Sequence, residues 1–320
     1  MKILAVQNRM GIGDTVIFLP FIKALSHKFN SPISILVKEN SKADQFLYQT
    51  KYIDKILFLE RDKKDKNRHG GFLGSLNLIK DLKKNNFSKI IIFNSSLRFN
   101  LIAKLSGIPE IYQYPLFKKT RQHITDAPRK FMKDKLDLEV HEDPEIQIDE
   151  NLLVKSFEQF NINKNETNIL LGIGGSGPTK RIPSKTFLEV IEKISKNRKC
   201  KFFLATGKDY EEQIILNEIL QSQFKNLVMP LDDLSIKETL PIIKNCNLSI
   251  CNDSSFSHLS AALGIKTITL MADTPLIYGS YSSKMYPVIP NGEETVAHNT
   301  QGKERISSQE IFNKIIEVID

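Results

Sequence analysis

Short apolar runs alternate with stretches of helical periodicity along most of this chain, and the alternation runs through once, pauses and starts again. That pattern leaves few folds open. Repeated strand–helix units bury both faces of their strands only when the strands lie parallel and the helices cover them. In the first pass KILAVQ (2–7) leads into TVIFLPFIKALSHKF, and ISILVK (33–38) into a helix near 41–50. KILFLE (55–60) passes through a charged loop into the helical LGSLNLIKDLKKN, and KIIIFN (89–94) follows as a further strand. The stretch from Ile111 to about Lys135 is basic, aromatic and Pro-containing, and fits neither period.

Residues 136–165 turn acidic and then Asn/Lys-rich, with a short helix near 150–160, and read as a domain boundary. The second pass runs NILLGIGG (168–175), a helix from Ser184 to Asn197, CKFFLAT (200–206) and a helix near 209–221. NLVMPL, a helix at 235–245, LSICND (248–253), a helix at 256–263 and KTITLM (266–271) continue it, and SSQEIFNKIIEVI is the last helix. A chain of 320 residues suits two domains. We place them at 1–160 and 161–320, with the last helix free to pack back on the first domain. Ligands of open parallel sheets bind beyond the carboxyl ends of the strands, so two such domains make the cleft between them the expected site.

Composition narrows the function classes. Hydrophobic residues make up 41% and charged residues 26%, an ordinary globular balance that argues against disorder. No apolar run approaches the ~20 residues of a membrane-spanning helix. The amino terminus reads as a first strand rather than a signal peptide, because Gly and Asp interrupt its apolar run. The three cysteines, Cys200, Cys246 and Cys251, show no C-x-x-C spacing; they suit a reducing cytoplasm as small buried hydrophobes. The net charge of +8 suggests an anionic partner. Lysine, asparagine and isoleucine are all abundant, however, as AT-rich coding would give without selection for binding.

Three segments could carry chemistry. Gly172, Gly174 and Gly177 match G-x-G-x-x-G after a strand, but Pro178 follows and helical pattern begins only near Ser184, which is unlike a dinucleotide fingerprint. No P-loop is present. A glycine loop followed by Lys180 and Arg181 suits an anionic phosphate, or is a surface turn with solvated cations. The strand LSICND leads into Asp253, Ser254, Ser255 and His258 at the start of a helix, where backbone N–H groups and hydroxyls suit an anion. The plainer alternative is that Asp253 or Ser254 caps the helix and His258 packs. Asp14 follows Gly11-Ile12-Gly13 at the end of the first strand, either as a helix cap or as a general base. Basic residues gather in two loops, Arg61 with Lys63, Lys64, Lys66 and Arg68, and Lys118 with Lys119, Arg121, His123, Arg129 and Lys130. Such runs are usually solvated faces. No helix-turn-helix, zinc or RNA-binding signature accompanies them, so nucleic acid is not expected as a partner.

Taken together, Gly11-Ile12-Gly13-Asp14, Gly177-Pro178-Thr179-Lys180-Arg181-Ile182-Pro183 and Asn252-Asp253-Ser254-Ser255-Phe256-Ser257-His258-Leu259-Ser260-Ala261-Ala262-Leu263-Gly264 resemble glycosyltransferase family 9, the ADP-heptose:lipopolysaccharide heptosyltransferases. The resemblance implies a GT-B fold: two Rossmann-like α/β domains whose parallel sheets face a cleft, the first binding acceptor and the second nucleotide sugar. It implies inverting, metal-independent transfer of a heptose or related sugar from an ADP-linked donor to a lipopolysaccharide core or other surface saccharide, with no cofactor.

Carried over residue by residue, Asp14 is the base and Lys180 stabilises the leaving diphosphate. Asp253, Ser254, Ser255 and His258 hold the diphosphate and adjacent sugar, with Ser176 beside the phosphate. Leu234 lies near the adenine, and Asp209, with Glu212 behind it, contacts the ribose. Arg61 and Lys64 are acceptor ligands. Two departures stand out: Met271-Ala272-Asp273-Thr274-Pro275 replaces a Tyr-Gly-Pro-Thr run, and Ile182 stands where many members have Trp. The first bears on donor-sugar identity, the second on packing. The expected location is cytoplasmic, with peripheral contact at the inner face of the inner membrane. The rival readings are a basic nucleic-acid- or membrane-binding protein without catalysis, and a family member using another nucleotide sugar.

Overall fold

The computed structural model describes residues 1–9, 11–61, 67–116 and 124–319. The chain divides into two compact units, Met1–Gln147 and Ile148–Asp320.

In the first unit the strands are β1 (Ile3–Val6), β2 (Ile33–Lys38), β3 (Ile53–Leu59), β4 (Lys89–Ile92) and β5 (Glu110–Gln113). They pair in parallel in the order β3-β2-β1-β4-β5. β1 is buried along its whole length and β2 along nearly all of it, which is why β1 is a continuous apolar run and β2 is broken only by the buried Ser34. β3, at one edge, exposes Asp54 and Lys55, charges that discourage pairing with another chain. The helices are α1 (Ile12–Phe29), a single turn α2 (Ala43–Phe46), α3 (Gly71–Asn85), α4 (Leu97–Leu105) and α5 (Asp126–Leu136). Gly11 enters α1 at φ 94°, a left-handed conformation that favours glycine. Leu78 and Leu82 of α3 and Phe99, Ile102 and Ala103 of α4 cover one sheet face. On α1, Phe18 and Phe21 join Phe93, Tyr114 and Phe131 in an aromatic cluster.

The helix expected near 41–50 is only a 3-10 turn at Glu39–Ser41 followed by the one turn of α2. The unassigned stretch from Ile111 holds most of β5 and nearly all of α5, while its residues 117–123, with Lys118, Lys119, Arg121 and His123, lie outside the described residues.

The second unit begins with α6 (Glu150–Gln159). The division falls inside the 136–165 stretch but ahead of this helix, because the Asn245 side chain donates to the Leu153 carbonyl and the Ser156 hydroxyl, both at 3.0 Å. The unit continues β6 (Thr167–Gly172), α7 (Ser184–Asn197), β7 (Cys200–Ala205), α8 (Tyr210–Leu220), β8 (Val228–Pro230), α9 (Ile236–Lys244) and β9 (Leu248–Asn252). It ends with α10 (Ser255–Ala262), β10 (Thr267–Leu270), β11 (Met285–Val288) and α11 (Ser308–Ile319). All strands are parallel, in the order β11-β10-β9-β6-β7-β8. That is the Rossmann order, with the topological switch between β6 and β9. β11, not expected from sequence, carries Pro287, which is tolerated because the strand lies at an edge. The last helix packs on its own unit: Ile311, Ile315 and Val318 join the core, and Ser308 donates to Glu189 of α7 at 2.6 Å.

Candidate active site

The switch between β6 and β9 leaves two loops side by side at the carboxyl ends of these strands. The Asn252 side chain ties them, donating to the carbonyls of Ile173 at 2.8 Å and Gly174 at 3.2 Å. Two glycines, at the end of β6 and just after it, serve close packing. A Cβ on Gly172 would lie 2.6 Å from the Cys251 sulfur, and one on Gly174 would lie 2.5 Å from Glu212 Oε1 and 2.9 Å from the Thr206 hydroxyl. No helix opens at this turn. Pro178–Lys180 form a 3-10 turn and α7 begins at Ser184, so the amides of a dinucleotide fingerprint are missing.

The loop that delivers Lys180 is clamped at Gly175. Its N–H donates to Glu212 Oε1 at 2.6 Å, and its carbonyl accepts from Arg181 Nε at 2.8 Å. Arg181 also pairs with Asp209 at 3.1 Å and with Glu211. Asp209 caps α8 by accepting from the Glu211 N–H at 3.1 Å. The two residues expected near a ribose are therefore arranged differently from each other. Glu212 is buried against the glycines, whereas the Asp209 side chain is largely exposed at the start of α8.

Lys180 Nζ donates to Asp253 Oδ2 at 2.7 Å, the carboxylate side chain 4% exposed and the lysine 24%. Burial pushes the Asp253 carboxyl upward, but the Lys180 charge and hydrogen bond outweigh it and hold the group below the usual carboxylate range. Asp253 is thus committed to Lys180 rather than to capping. Ser254 stands at the N-cap position of α10 and makes no capping bond; its buried Oγ has no hydrogen-bond partner among the described residues. Ser255 opens the helix, half-buried. His258, one turn in, is buried, and burial pushes its imidazole down to about 4, so it is neutral at pH 7. Its Nδ1 meets the Tyr281 hydroxyl at 2.9 Å, the two rings stack, and Nε2 lies 3.9 Å from Asp253 Oδ1. Both ring nitrogens face protein groups. Sequence reasoning did not single out Tyr281, which sits in a loop without periodicity, nor give Arg181 a clamping role.

The remaining expected residues fall in different places. Ser176 is exposed on the Lys180 loop, and Leu234 is half-buried just before the Ser235–Glu238 capping box of α9. Ile182, at the position expected to affect packing, is fully buried in the core of the unit. Asp273 accepts from the Gln301 N–H at 2.8 Å. In the first unit, Asp14 is half-buried in the first turn of α1, which Gly11 rather than Asp14 caps. A carboxylate there is favoured by the helix dipole. Arg61 is exposed, and Lys64 lies outside the described residues. Among the described residues no three His, Cys, Asp or Glu side chains converge on a common metal position, and no helix is long and apolar enough to cross a membrane.

Comparison with known proteins places this arrangement. Residues 76–309 match the family described as glycosyltransferase family 9 (heptosyltransferase). Lipopolysaccharide heptosyltransferase 1 of Campylobacter coli is 26% identical, over 92% of this chain and 90% of its own. A glycosyl transferase family 9 structure from Veillonella parvula superposes with a TM-score of 0.76 at 17% identity, covering 99% of this chain and 97% of its own. The ADP-heptose lipopolysaccharide heptosyltransferase II of E. coli gives 0.74 at 16% identity, covering 100% and 98%.

Proposed function

The chain belongs to glycosyltransferase family 9, and from that membership we propose that it moves a heptose from an ADP-linked donor to a lipopolysaccharide core or related lipid-linked saccharide. It is a glycosyltransferase, and its two Rossmann-like units are those of a GT-B fold. The donor belongs on the second unit. The observation that carries this reading is the Lys180–Asp253 pair at the β6/β9 switch, beside the amino terminus of α10, whose Ser254 hydroxyl has no partner among the described residues.

In the proposed reaction Asp14 takes the proton of an acceptor hydroxyl as that oxygen attacks the anomeric carbon from the face opposite the diphosphate. The bond from the anomeric carbon to the diphosphate oxygen breaks, and the configuration inverts. Negative charge then grows on the departing ADP. A lysine ammonium has three donors, so Lys180 keeps one on Asp253 and turns others to the phosphate. Ser254, Ser255 and the α10 backbone N–H groups add neutral donors and a positive dipole end. These groups supply the positive field that a divalent cation would otherwise provide, which is why the proposed transfer is metal-independent. Asp253 and His258 act from behind the diphosphate by fixing Lys180 and the helix start. Ser176 lies at the phosphate, Leu234 against the adenine, and Asp209, backed by Glu212, at the ribose. Arg61 and Lys64 meet acidic groups of the acceptor. The enzyme works in the cytoplasm on an acceptor held at the inner membrane.

Thermal shift with ADP, UDP, GDP and CMP, each with and without magnesium, tests the donor, because a ligand that binds only the native state raises its apparent stability. The expected result is a selective, magnesium-independent shift with ADP, followed by transfer from ADP-heptose. A shift with UDP or GDP alone replaces the donor. No shift with any nucleotide, in protein that melts cooperatively, overturns the reading.

A further inference from the structure

We propose that the outer face of α3 and α4 in the first unit docks the protein on an anionic phospholipid surface. The inner faces of both helices are already spent on the core, through Leu78 and Leu82 and through Phe99, Ile102 and Ala103. What remains outside is unusually apolar. Phe72 and Leu73 are 80% and 74% exposed, and Leu76 follows one turn on from Phe72. On α4, Leu97, Leu101 and Leu105 are all exposed at a spacing of four, one stripe along the helix. The two stripes are neighbours, because Arg98 at the start of α4 donates from Nε to the Ser75 hydroxyl of α3 at 2.9 Å and from Nη2 to the His69 carbonyl. Single exposed leucines need no explanation, but six large apolar side chains on two packed helices mark an interaction surface.

The charge around this patch selects the partner. Lys80, Lys83, Lys84 and Lys104 are exposed on the same two helices. The carboxylate of Asp81 is already occupied by Arg68 at 2.7 Å and His69 at 3.1 Å, and α4 has no acidic residue. A second copy of this chain would bring like charges together. An anionic bilayer suits both features: leucine and phenylalanine enter the acyl boundary while lysines meet the headgroups. Topology adds a reason. α3 and α4 follow β3 and β4 as α1 follows β1, so all three helices, and Asp14 on α1, lie beyond the carboxyl ends of strands in one parallel sheet. This last point rests on the proposed lipid-linked acceptor; the apolar and basic face does not.

Co-sedimentation with vesicles of phosphatidylglycerol and phosphatidylethanolamine, against phosphatidylcholine alone, tests the surface. We expect binding to the anionic vesicles that weakens as salt is raised. The combined Phe72→Ser, Leu76→Ser and Leu101→Ser variant should lose about tenfold or more in vesicle affinity. Its melting temperature and ADP affinity should match the parent, since all three positions are exposed. The inference is overturned if the parent ignores anionic vesicles or if the variant binds them equally well. It is also overturned if light scattering shows a parent dimer that the variant abolishes, which assigns the face to a second copy. ADP binding is read separately, so failure here leaves the donor assignment standing, and the reverse.

Discussion

The ammonium of Lys180 and the enclosed carboxylate of Asp253 meet at 2.7 Å, with the lysine side of the pair the more open. This asymmetry predicts different outcomes for the two halves. Lys180→Ala strands a buried carboxylate and should cost roughly 3 kcal/mol of stability, besides weakening ADP binding. Asp253→Asn leaves a lysine that can reach solvent, so its stability loss should be smaller while turnover falls through misplacement of Lys180. Urea unfolding of both single variants and the double variant, with ADP titrations, gives the coupling. Equal stability losses and unchanged ADP affinity in both would remove the pair from the site. The Asp253 contribution is present above the ordinary carboxylate range and is lost only as pH falls through its depressed folded value.

His258 predicts an acid sensitivity of opposite origin. Its folded value, near 4, lies below the 6.5 of a free imidazole, so between these values the unfolded chain binds the extra proton. Stability should therefore fall as pH drops from 6.5 toward 4, by on the order of 3 kcal/mol from this group alone. His258→Gln removes the titration, and its melting temperature should depend less steeply on pH than that of the parent in this window. Parallel curves would show that the imidazole charges without cost.

How much of this was legible beforehand depended on periodicity. β1, β2, β6, β7 and β9 are buried on both faces and announce themselves as mostly apolar runs without alternation. β5 and β11 are short edge strands with polar or Pro residues, α4 is apolar on its outer as well as its inner side, and α5 mixes charge with few apolar positions, so no period marks them. At the site, Lys180 and Asp253 are named by motif, yet their pairing spans the sheet switch and is visible only once β6 and β9 are neighbours. Glu212 was expected behind a ribose. Its bond to the Gly175 N–H depends on a close approach that the missing side chains of Gly174 and Gly207 permit, and no local spacing encodes it.

That close approach gives a third prediction. In Gly174→Ala the new Cβ would sit 2.5 Å from Glu212 Oε1 and 2.9 Å from Thr206 Oγ1, so the carboxylate must move off the Gly175 N–H. We expect a loss of about 1–3 kcal/mol from overpacking together with weaker ADP binding. Glu212→Ala makes room but leaves the Gly175 donor unpaired, so combining it with Gly174→Ala should cost less than the sum. Additive losses by urea unfolding would mean the two residues do not constrain one another.

Asp14 separates donor binding from transfer. It lies in the first turn of α1, in the unit that does not carry the Lys180–Asp253 pair, so Asp14→Asn should leave ADP affinity within about twofold of the parent. The amide keeps the shape and the first-turn position but cannot accept the acceptor proton, and kcat should fall by about a hundredfold or more. Asp14→Glu, which restores a base on a longer arm, should recover part of the rate and keep a pH-dependent limb that the asparagine variant lacks. Steady-state transfer from ADP-heptose across pH, with ADP titration on the same preparations, reads both quantities. Undiminished turnover in Asp14→Asn would take the base role from this residue, whereas a loss confined to ADP affinity would move it to the donor side.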